Sequence, residues 1–517
     1  MSPELAGILS GLKGVAFHEG RKGLEKESLR VAASGGIAQT PHPQALGSAL
    51  CHPQITTDYS EALLELVTGT HVNPTDVLAE LLNVHQFVYQ HLEDEFLWVA
   101  SMPCVLDGEK SIRIAEYGSS NVGRMKHVYR IGLGYRYGRI MQAIAGIHFN
   151  YSPPESLWGS LAESLGYSDH QSFRDRQFMG MLRNIKRLNW LVSYLFGSSP
   201  AVCKSFLPAG GAGLEAYGRD TWYYPHGTSL RLSDIGYSNR AAGGLRISYN
   251  SLGEYVEGLR HAIAAPHPAY SRIGTHRDGE WLQLNANVLQ IENEYYSFVR
   301  PKRVPTGNEK RTSALARDGI QYVELRSLDL DPWAPAGLTD VTMRFLEVFM
   351  VGALLSPASQ NDDASQAEQD ENLQSVARNG RAAGLTLKRD GKSIMLKDWA
   401  SETLESLTAI ARLLDASAGS SAYSAAVNAQ RAKVADPDET PSARVVAAMR
   451  AEGEGFYHFA MRRSKASAEW FGNQPVDAAS SATLKASAEQ SLSDQAAIEA
   501  ADNQSFDKYL AEYFAQP

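Results

Sequence analysis

Apolar positions along this chain follow two rhythms. From residue 73, Asn-Pro-Thr-Asp supplies a helix start, and Val77, Leu78, Leu81, Leu82, Phe87 and Val88 form a stripe at helical spacing. Met179, Met181, Leu182, Ile185 and Leu188 predict a helix around 177–196, and Val341, Met343, Phe345, Leu346, Phe349 and Met350 another over Asp340–Leu355. The runs 146–152, 229–232, 281–291 and 319–329 are short, apolar and compatible with strands. Past about residue 385 the chain turns alanine-rich, with helices expected near 399–414, 417–434, Pro441–Glu452 and Ala478–Ala501. Residues 356–379 are polar and acidic with almost no apolar period, which predicts an exposed segment. The glycine-rich stretch 209–213 predicts a flexible turn, and no internal repeat is visible.

Composition narrows the class. The 517 residues allow roughly three domains, or one large sheet wrapped by helices. Apolar residues make up 44% and charged residues 21%, an ordinary globular balance. The net charge of -9 gives no encouragement to nucleic acid or an anionic membrane as partner. Basic residues are scattered apart from Arg300-Pro301-Lys302-Arg303. The opening residues do not resemble a signal peptide, and no run is long enough to span a bilayer. Cys51, Cys104 and Cys203 are widely spaced without a CxxC pair, so a reducing cytoplasm and inert thiols are expected.

Chemistry is suggested by four segments. In Gly-Leu-Glu-Lys-Glu-Ser-Leu-Arg-Val, residues 23–31, a strand would point Glu25 and Glu27 to one side, about 7 Å apart. Two such charges repel unless a cation or basic group lies between them; a solvated edge strand is the alternative. Asp58 either caps a short helix with Glu61 or precedes a strand over 62–68, on which Leu63, Glu65 and Val67 share a face. The strand is preferred, and a carboxylate at Glu65 among leucines calls for a metal or basic partner. His148 and Asn150 share one face of 146–152; a lone histidine there is more often a core residue than a ligand. Glu324 and Arg326 point together from the run beginning at Tyr322, either to a metal and a phosphate or to each other. Asn293, Tyr296, Tyr129, Arg130, Arg231 and Tyr237 add groups suited to polar or anionic substrates. No GxxxxGK[ST], GxSxG or HExxH is present, which removes several enzyme classes. Acids from several strands with a histidine and arginines fit hard cations on nucleotide phosphates.

The stretches ITTDYSEALLE, SLRLSDIGY and QIENE followed by RPKR closely resemble the glutamate–cysteine ligase (γ-glutamylcysteine synthetase) family of proteobacterial type. The resemblance runs from about 15 to 355 and more loosely to the end. It implies an α+β fold, a glutamine-synthetase-like curved antiparallel sheet forming a funnel with helices outside. It implies one catalytic unit over 1–517: the catalytic sheet and flanking helices in 15–355, a polar surface segment in 356–385, and a helical C-terminal region in 386–517 packed on the core. By the same resemblance Glu25, Glu27, Asp58, Glu65, His148 and Glu324 hold Mg²⁺, with Mn²⁺ as a substitute, and Arg231 and Arg326 are catalytic. Tyr59, Tyr129, Arg130, Ile144, Tyr237, Asn293 and Tyr296 form the substrate wall. Relatives can carry Phe where this chain has Tyr59, at the edge of the cysteine pocket. The implied reaction is ATP-dependent ligation of L-glutamate to L-cysteine through a γ-glutamyl phosphate, the first step of glutathione synthesis. A ligase of this fold with another amine acceptor is the alternative. Glutathione as feedback inhibitor, a monomeric state, a cytoplasmic location, and no nucleic acid or membrane partner are the accompanying expectations.

Overall fold

Strand β1 (Arg21–Ala32) is the spine of the molecule, and both of its edges are taken up by antiparallel partners. The computed structural model describes residues 7–9, 11–12, 14–103, 105–236 and 245–516. The other members of the main sheet are β2 (Ile55–Thr57), β3 (Leu63–Val67), β4 (Glu95–Leu97), β5 (Ile147–Ser152), β11 (Val299–Lys302) and β12 (Tyr322–Leu328). They run in the order β11-β12-β5-β1-β3-β2, with β4 on the far end of β1. Shorter strands β6 (Ala201–Cys203), β7 (Glu215–Tyr217) and β8 (Thr221–Tyr223) make a small separate sheet, and β9 (His276–Arg277) with β10 (Glu280–Trp281) a hairpin.

Register places the polar residues. Glu25 lies opposite His148, Glu27 opposite Glu65, and Glu324 opposite both Asn150 and Arg300. Because side chains alternate along a strand, these residues stack in adjacent rows on one face. The opposite face of β1, bearing Lys22, Leu24, Lys26 and Ser28, is fully covered and meets helices Pro74–Tyr89 and Asp340–Leu355. The Pro74–Tyr89 helix starts where expected, with the Asn73 side chain accepting from the Thr75 N–H. Asp340–Leu355 buries Met343, Phe345, Leu346, Val348, Phe349, Met350 and Val351 completely. Each such side chain contributes roughly 1.5–3 kcal/mol, so Phe349→Ala alone would cost about 3–5 kcal/mol.

Several expected elements differ. Residues 229–232 form only an isolated bridge, Ser199 to Ser229, because Ser229 and Ser233 turn their hydroxyls onto Asp329 and the Leu230 carbonyl. Most of 281–291 is irregular: Asn285 and Gln290 bond each other's neighbouring backbone instead of leaving it for a ladder. The polar run at 356–379 contains a helix, Asp363–Asn379, opened by an Asp362–Ser365 capping box and burying Leu373, Val376 and Ala377. Those few apolar residues suffice because the helix packs on Gln171–Phe196, which itself begins earlier than its apolar stripe, at a His170 cap. Helices Phe456–Asn473 and Phe506–Ala515 were not anticipated. The glycine-rich turn at 209–213 sits against Trp222, Tyr224 and Ile235. Among the described residues no helix is long and apolar enough to cross a membrane.

Candidate active site

Five acidic or imidazole side chains meet on the polar face of the main sheet. His148 on β5 lies with Nδ1 2.9 Å from Glu25 Oε2 and 3.7 Å from Glu324 Oε1, and with Nε2 3.6 Å from Glu27 Oε1. Asn150, two residues on, donates to the other Glu25 oxygen at 3.0 Å. One ligand atom each of Glu25, Glu65 and His148 lie within 4.8 Å of one another. Glu27 is fixed by the Gly146 N–H, which donates to Oε2 at 2.6 Å. Glu324 is wholly buried; its Oε1 takes Lys302 at 3.0 Å and Arg326 at 3.3 Å, while Oε2 has no hydrogen-bond partner among the described residues.

Charge divides this face in two. Around β12, burial and Glu324 push the Glu25 carboxyl up, but the His148 hydrogen bond and Lys302 outweigh them and hold it at about 2. Glu324 is held well below the usual range: burial opposes this, and Lys302, Arg326 and His148 overcome it. Around β3 the balance reverses. Burial, then the charges of Glu25, Asp58 and Glu27, drive Glu65 well above its ordinary value. Burial also raises Glu27, with Asp58 adding to it against the pull of His148. An unneutralised carboxylate group of this kind is costly to bury, and a multivalent cation is the partner that relieves it.

Arginines line the rim. Arg326 is held above its usual value because Glu324, Glu27 and Glu25 outweigh the effect of burial, and its Nε is buried without a hydrogen bond. Arg231 is buried behind it, donating to the Arg326 carbonyl at 2.7 Å and the Leu328 carbonyl at 3.3 Å where β12 bulges. Gly146 makes this possible, since a Cβ there would stand 2.0 Å from an Arg231 nitrogen. The loop bearing Arg231 is tied by Asp329, which accepts from the Ser198 N–H and the Ser229 hydroxyl, each at 3.0 Å.

Of the expected wall residues, Tyr296 lies near Arg231, Arg326 and Glu27, and Tyr129 and Arg130 lie near Asp58. Asp58 ends the β2 turn, where its carbonyl accepts from Arg130 Nε. Arg130 and Tyr129 ride on helix Asn121–Tyr137, and Ile144 is buried just before β5. Asn293 is exposed; its carbonyl accepts from Arg300 at 3.1 Å, as does that of Tyr295. Tyr296 follows, its phenol raised by burial against the opposing charges of Arg231 and Arg326. Tyr59 is 1% exposed, with its hydroxyl buried and without a hydrogen-bond partner in the space left by Gly134. Tyr237 lies outside the described residues. Lys302, Arg300 and Asn150 belong to the cluster and were not singled out as site residues, although Arg300 and Lys302 alternate on β11 as Glu324 and Arg326 do on β12.

Comparison with known proteins places this arrangement. A model of the family described as glutamate-cysteine ligase matches residues 9–376. A glutamate–cysteine ligase of Pseudomonas paraeruginosa is 48% identical over 495 residues, covering 95% of this chain and 94% of the relative. One from Pseudomonas fluorescens is 48% identical over 496 residues, covering 95% and 93%. The crystal structure of glutamate–cysteine ligase from Francisella tularensis in complex with AMP superposes with a TM-score of 0.90 at 35% identity, over 96% of this chain and 97% of that one. A bifunctional glutathione synthetase from Pasteurella multocida shares the fold, with a TM-score of 0.72 at 24% identity over 91% of this chain and 55% of that one. The α+β class and antiparallel main sheet expected from the sequence agree with these matches. With acids from three strands and a histidine from a fourth on one face, and a likeness that runs the length of the chain, this protein belongs to the glutamate–cysteine ligase family.

Proposed function

We propose that this chain joins the γ-carboxylate of L-glutamate to the amine of L-cysteine, using ATP and passing through a γ-glutamyl phosphate. The observation that carries the reading is the convergence of Glu25, Glu27, Glu65, His148, Glu324 and Arg326 on one sheet face, in a chain whose relatives are named for this ligation. The donor set suits Mg²⁺: it is mainly carboxylate oxygen, it is crowded with like charge, and Glu324 Oε2 is buried with no hydrogen-bond partner among the described residues. Glu25, Glu27, Asp58, Glu65, His148 and Glu324 are the residues we assign to holding it. When bound, the metal supplies positive charge that neutralises the nucleotide phosphates.

The protein's own groups do the rest. Glutamate's γ-carboxylate and the γ-phosphate of ATP are both anions, and Arg326 faces the charge that develops as the phosphoryl group transfers. Arg231 adds charge from behind and braces the β12 bulge from which Arg326 projects. Lys302 keeps Glu324 ionised and so keeps the acid able to bind a cation. Tyr59, Tyr129, Arg130, Ile144, Tyr237, Asn293 and Tyr296 are assigned to the amino-acid substrates. The buried Tyr59 and Ile144 help to exclude water, which would otherwise hydrolyse the acyl phosphate. On resemblance we extend the reading to feedback inhibition by glutathione, a monomeric state and a cytoplasmic enzyme.

A ligase with another amine acceptor is favoured by one feature, the buried hydroxyl of Tyr59 without a hydrogen-bond partner. Incubation with ATP, Mg²⁺, glutamate and a panel of amines decides between the two. Preferential release of ADP with L-cysteine, together with γ-glutamylcysteine in the product mixture, is expected. Equal or better use of another amine would replace this assignment.

A further inference from the structure

Tyr117 is not among the proposed metal ligands or wall residues, yet three parts of the site meet on it. It is 2% exposed. Its hydroxyl lies 2.8 Å from the Thr57 carbonyl, 3.1 Å from that of Asp58 and 3.1 Å from Thr57 Oγ1, at the turn that delivers Asp58. The guanidinium of Arg130 stands 4.6 Å from the ring centroid and the ammonium of Lys126 5.2 Å from it. Arg130 in turn donates to the Asp58 carbonyl through Nε and to the Lys126 carbonyl through a terminal nitrogen.

Lys126 and Arg130 are one helical turn apart, where like charges repel. Neither has a carboxylate paired to it among the described residues, and the Lys126 ammonium makes no hydrogen bond or ion pair there. The negative face of an aromatic ring is what holds two cations side by side without neutralising them. They therefore stay available to an anion from outside the protein. An acceptor amino acid brings one, its α-carboxylate, and a planar guanidinium with an ammonium beside it suits that group.

We infer that Tyr117 is a positioning residue: its ring presents Arg130 and Lys126 to the carboxylate of the acceptor amino acid, and its hydroxyl holds the Asp58 turn. The inference rests on the ligase reading above. It separates two roles within one side chain, and two substitutions divide them. Tyr117→Phe keeps the ring and loses the hydroxyl's bond to the turn. Tyr117→Leu loses both.

The full chain and both variants would be compared after their melting curves have shown that they fold. Mn²⁺ binding, read by electron paramagnetic resonance without substrate, should weaken about fivefold in Tyr117→Phe, the loss of one hydrogen bond to the turn. The same variant should keep its KM for L-cysteine. Tyr117→Leu should raise that KM on the order of tenfold with kcat little changed, the scale of a lost cation–ring contact. With cysteamine, which has no carboxylate, wild type and Tyr117→Leu should have the same KM. An unchanged L-cysteine KM in Tyr117→Leu, or an equal rise with cysteamine, would overturn the ring's role; unchanged Mn²⁺ binding in Tyr117→Phe would overturn the hydroxyl's. Should Tyr117→Leu not fold, Lys126→Met takes its place in the comparison of L-cysteine with cysteamine, with the same outcomes, and Tyr117→Phe still judges the hydroxyl through Mn²⁺ binding. Should the wild type make no γ-glutamylcysteine, the ligase reading fails and the Mn²⁺ titration still judges Tyr117.

Discussion

The two faces of strand β1 carry buried charge in opposite ways. On the helix-covered face, Lys22 and Glu347 are 2.6 Å apart with no exposure of either side chain. Lys22 also donates to the Val72 carbonyl and the Tyr423 hydroxyl donates to Glu347 at 2.8 Å. Lys26, four residues on, bonds Ser28 at 2.8 Å and His85 at 2.7 Å. Every charge there has its partner inside the protein. On the sheet's other face, Glu25, Glu27, Glu65 and Glu324 crowd around one histidine, and Glu324 Oε2 has no hydrogen-bond partner among the described residues. Closed networks of the first kind specify packing, whereas an arrangement left electrostatically incomplete is built to be finished by a ligand.

Breaking each face should therefore fail differently. The largest effect is expected from Arg326→Met on the open face: kcat falls about a thousandfold, the scale of a lost transition-state cation, while the melting temperature barely moves. Steady-state ADP release and a thermal melt check both halves of that statement. Next, Glu347→Leu on the closed face strands Lys22 and should cost about 3–5 kcal/mol of stability, with activity per folded molecule retained. Adding Lys22→Met to the same chain should recover most of the loss in a denaturant titration.

A smaller kinetic effect is expected from Gly146→Ala. Its methyl group would force the buried Arg231 to move, and the shift passed to Arg326 should lower kcat about tenfold, with about 1–3 kcal/mol of stability lost in a denaturant titration. The last effect belongs to neither face and vanishes at neutral pH. Burial, with Arg30 next, pushes His42 down to about 4 from the usual 6.5. Between those values the unfolded chain takes up a proton that the folded one refuses, so stability falls as pH drops through that window and is fully present above it. His42→Phe should flatten that part of a stability–pH curve and leave the neutral region unchanged.

How far this contrast was legible in the sequence depends on the range of the signal. Glu25 and Glu27 are related by strand alternation alone, and β1 places them together as that rule requires. Glu65 on a strand rather than a helix was also readable, because its run ends in Thr68-Gly69 before a strong helix start. The pairing of Glu25 with His148, 123 residues away, depends on register between strands that no local pattern specifies. Only family resemblance brought those two together in advance. The 281–291 and 229–232 runs misled because apolar content alone cannot reveal that Asn285, Gln290, Ser229 and Ser233 would claim the backbone. Lys302 stood out only as part of a basic run, and Tyr117 went unnoticed, because each matters through a partner distant in the chain, Glu324 in one case and the Asp58 turn in the other.

The most direct test of the contrast is anomalous X-ray diffraction from crystals grown with Mn²⁺ and a non-hydrolysable ATP analogue. Peaks within about 2.2 Å of oxygens from Glu25, Glu65 and Glu324 on the open face are predicted. Nucleotide bound in the crystal with no metal peak among those carboxylates would contradict the account.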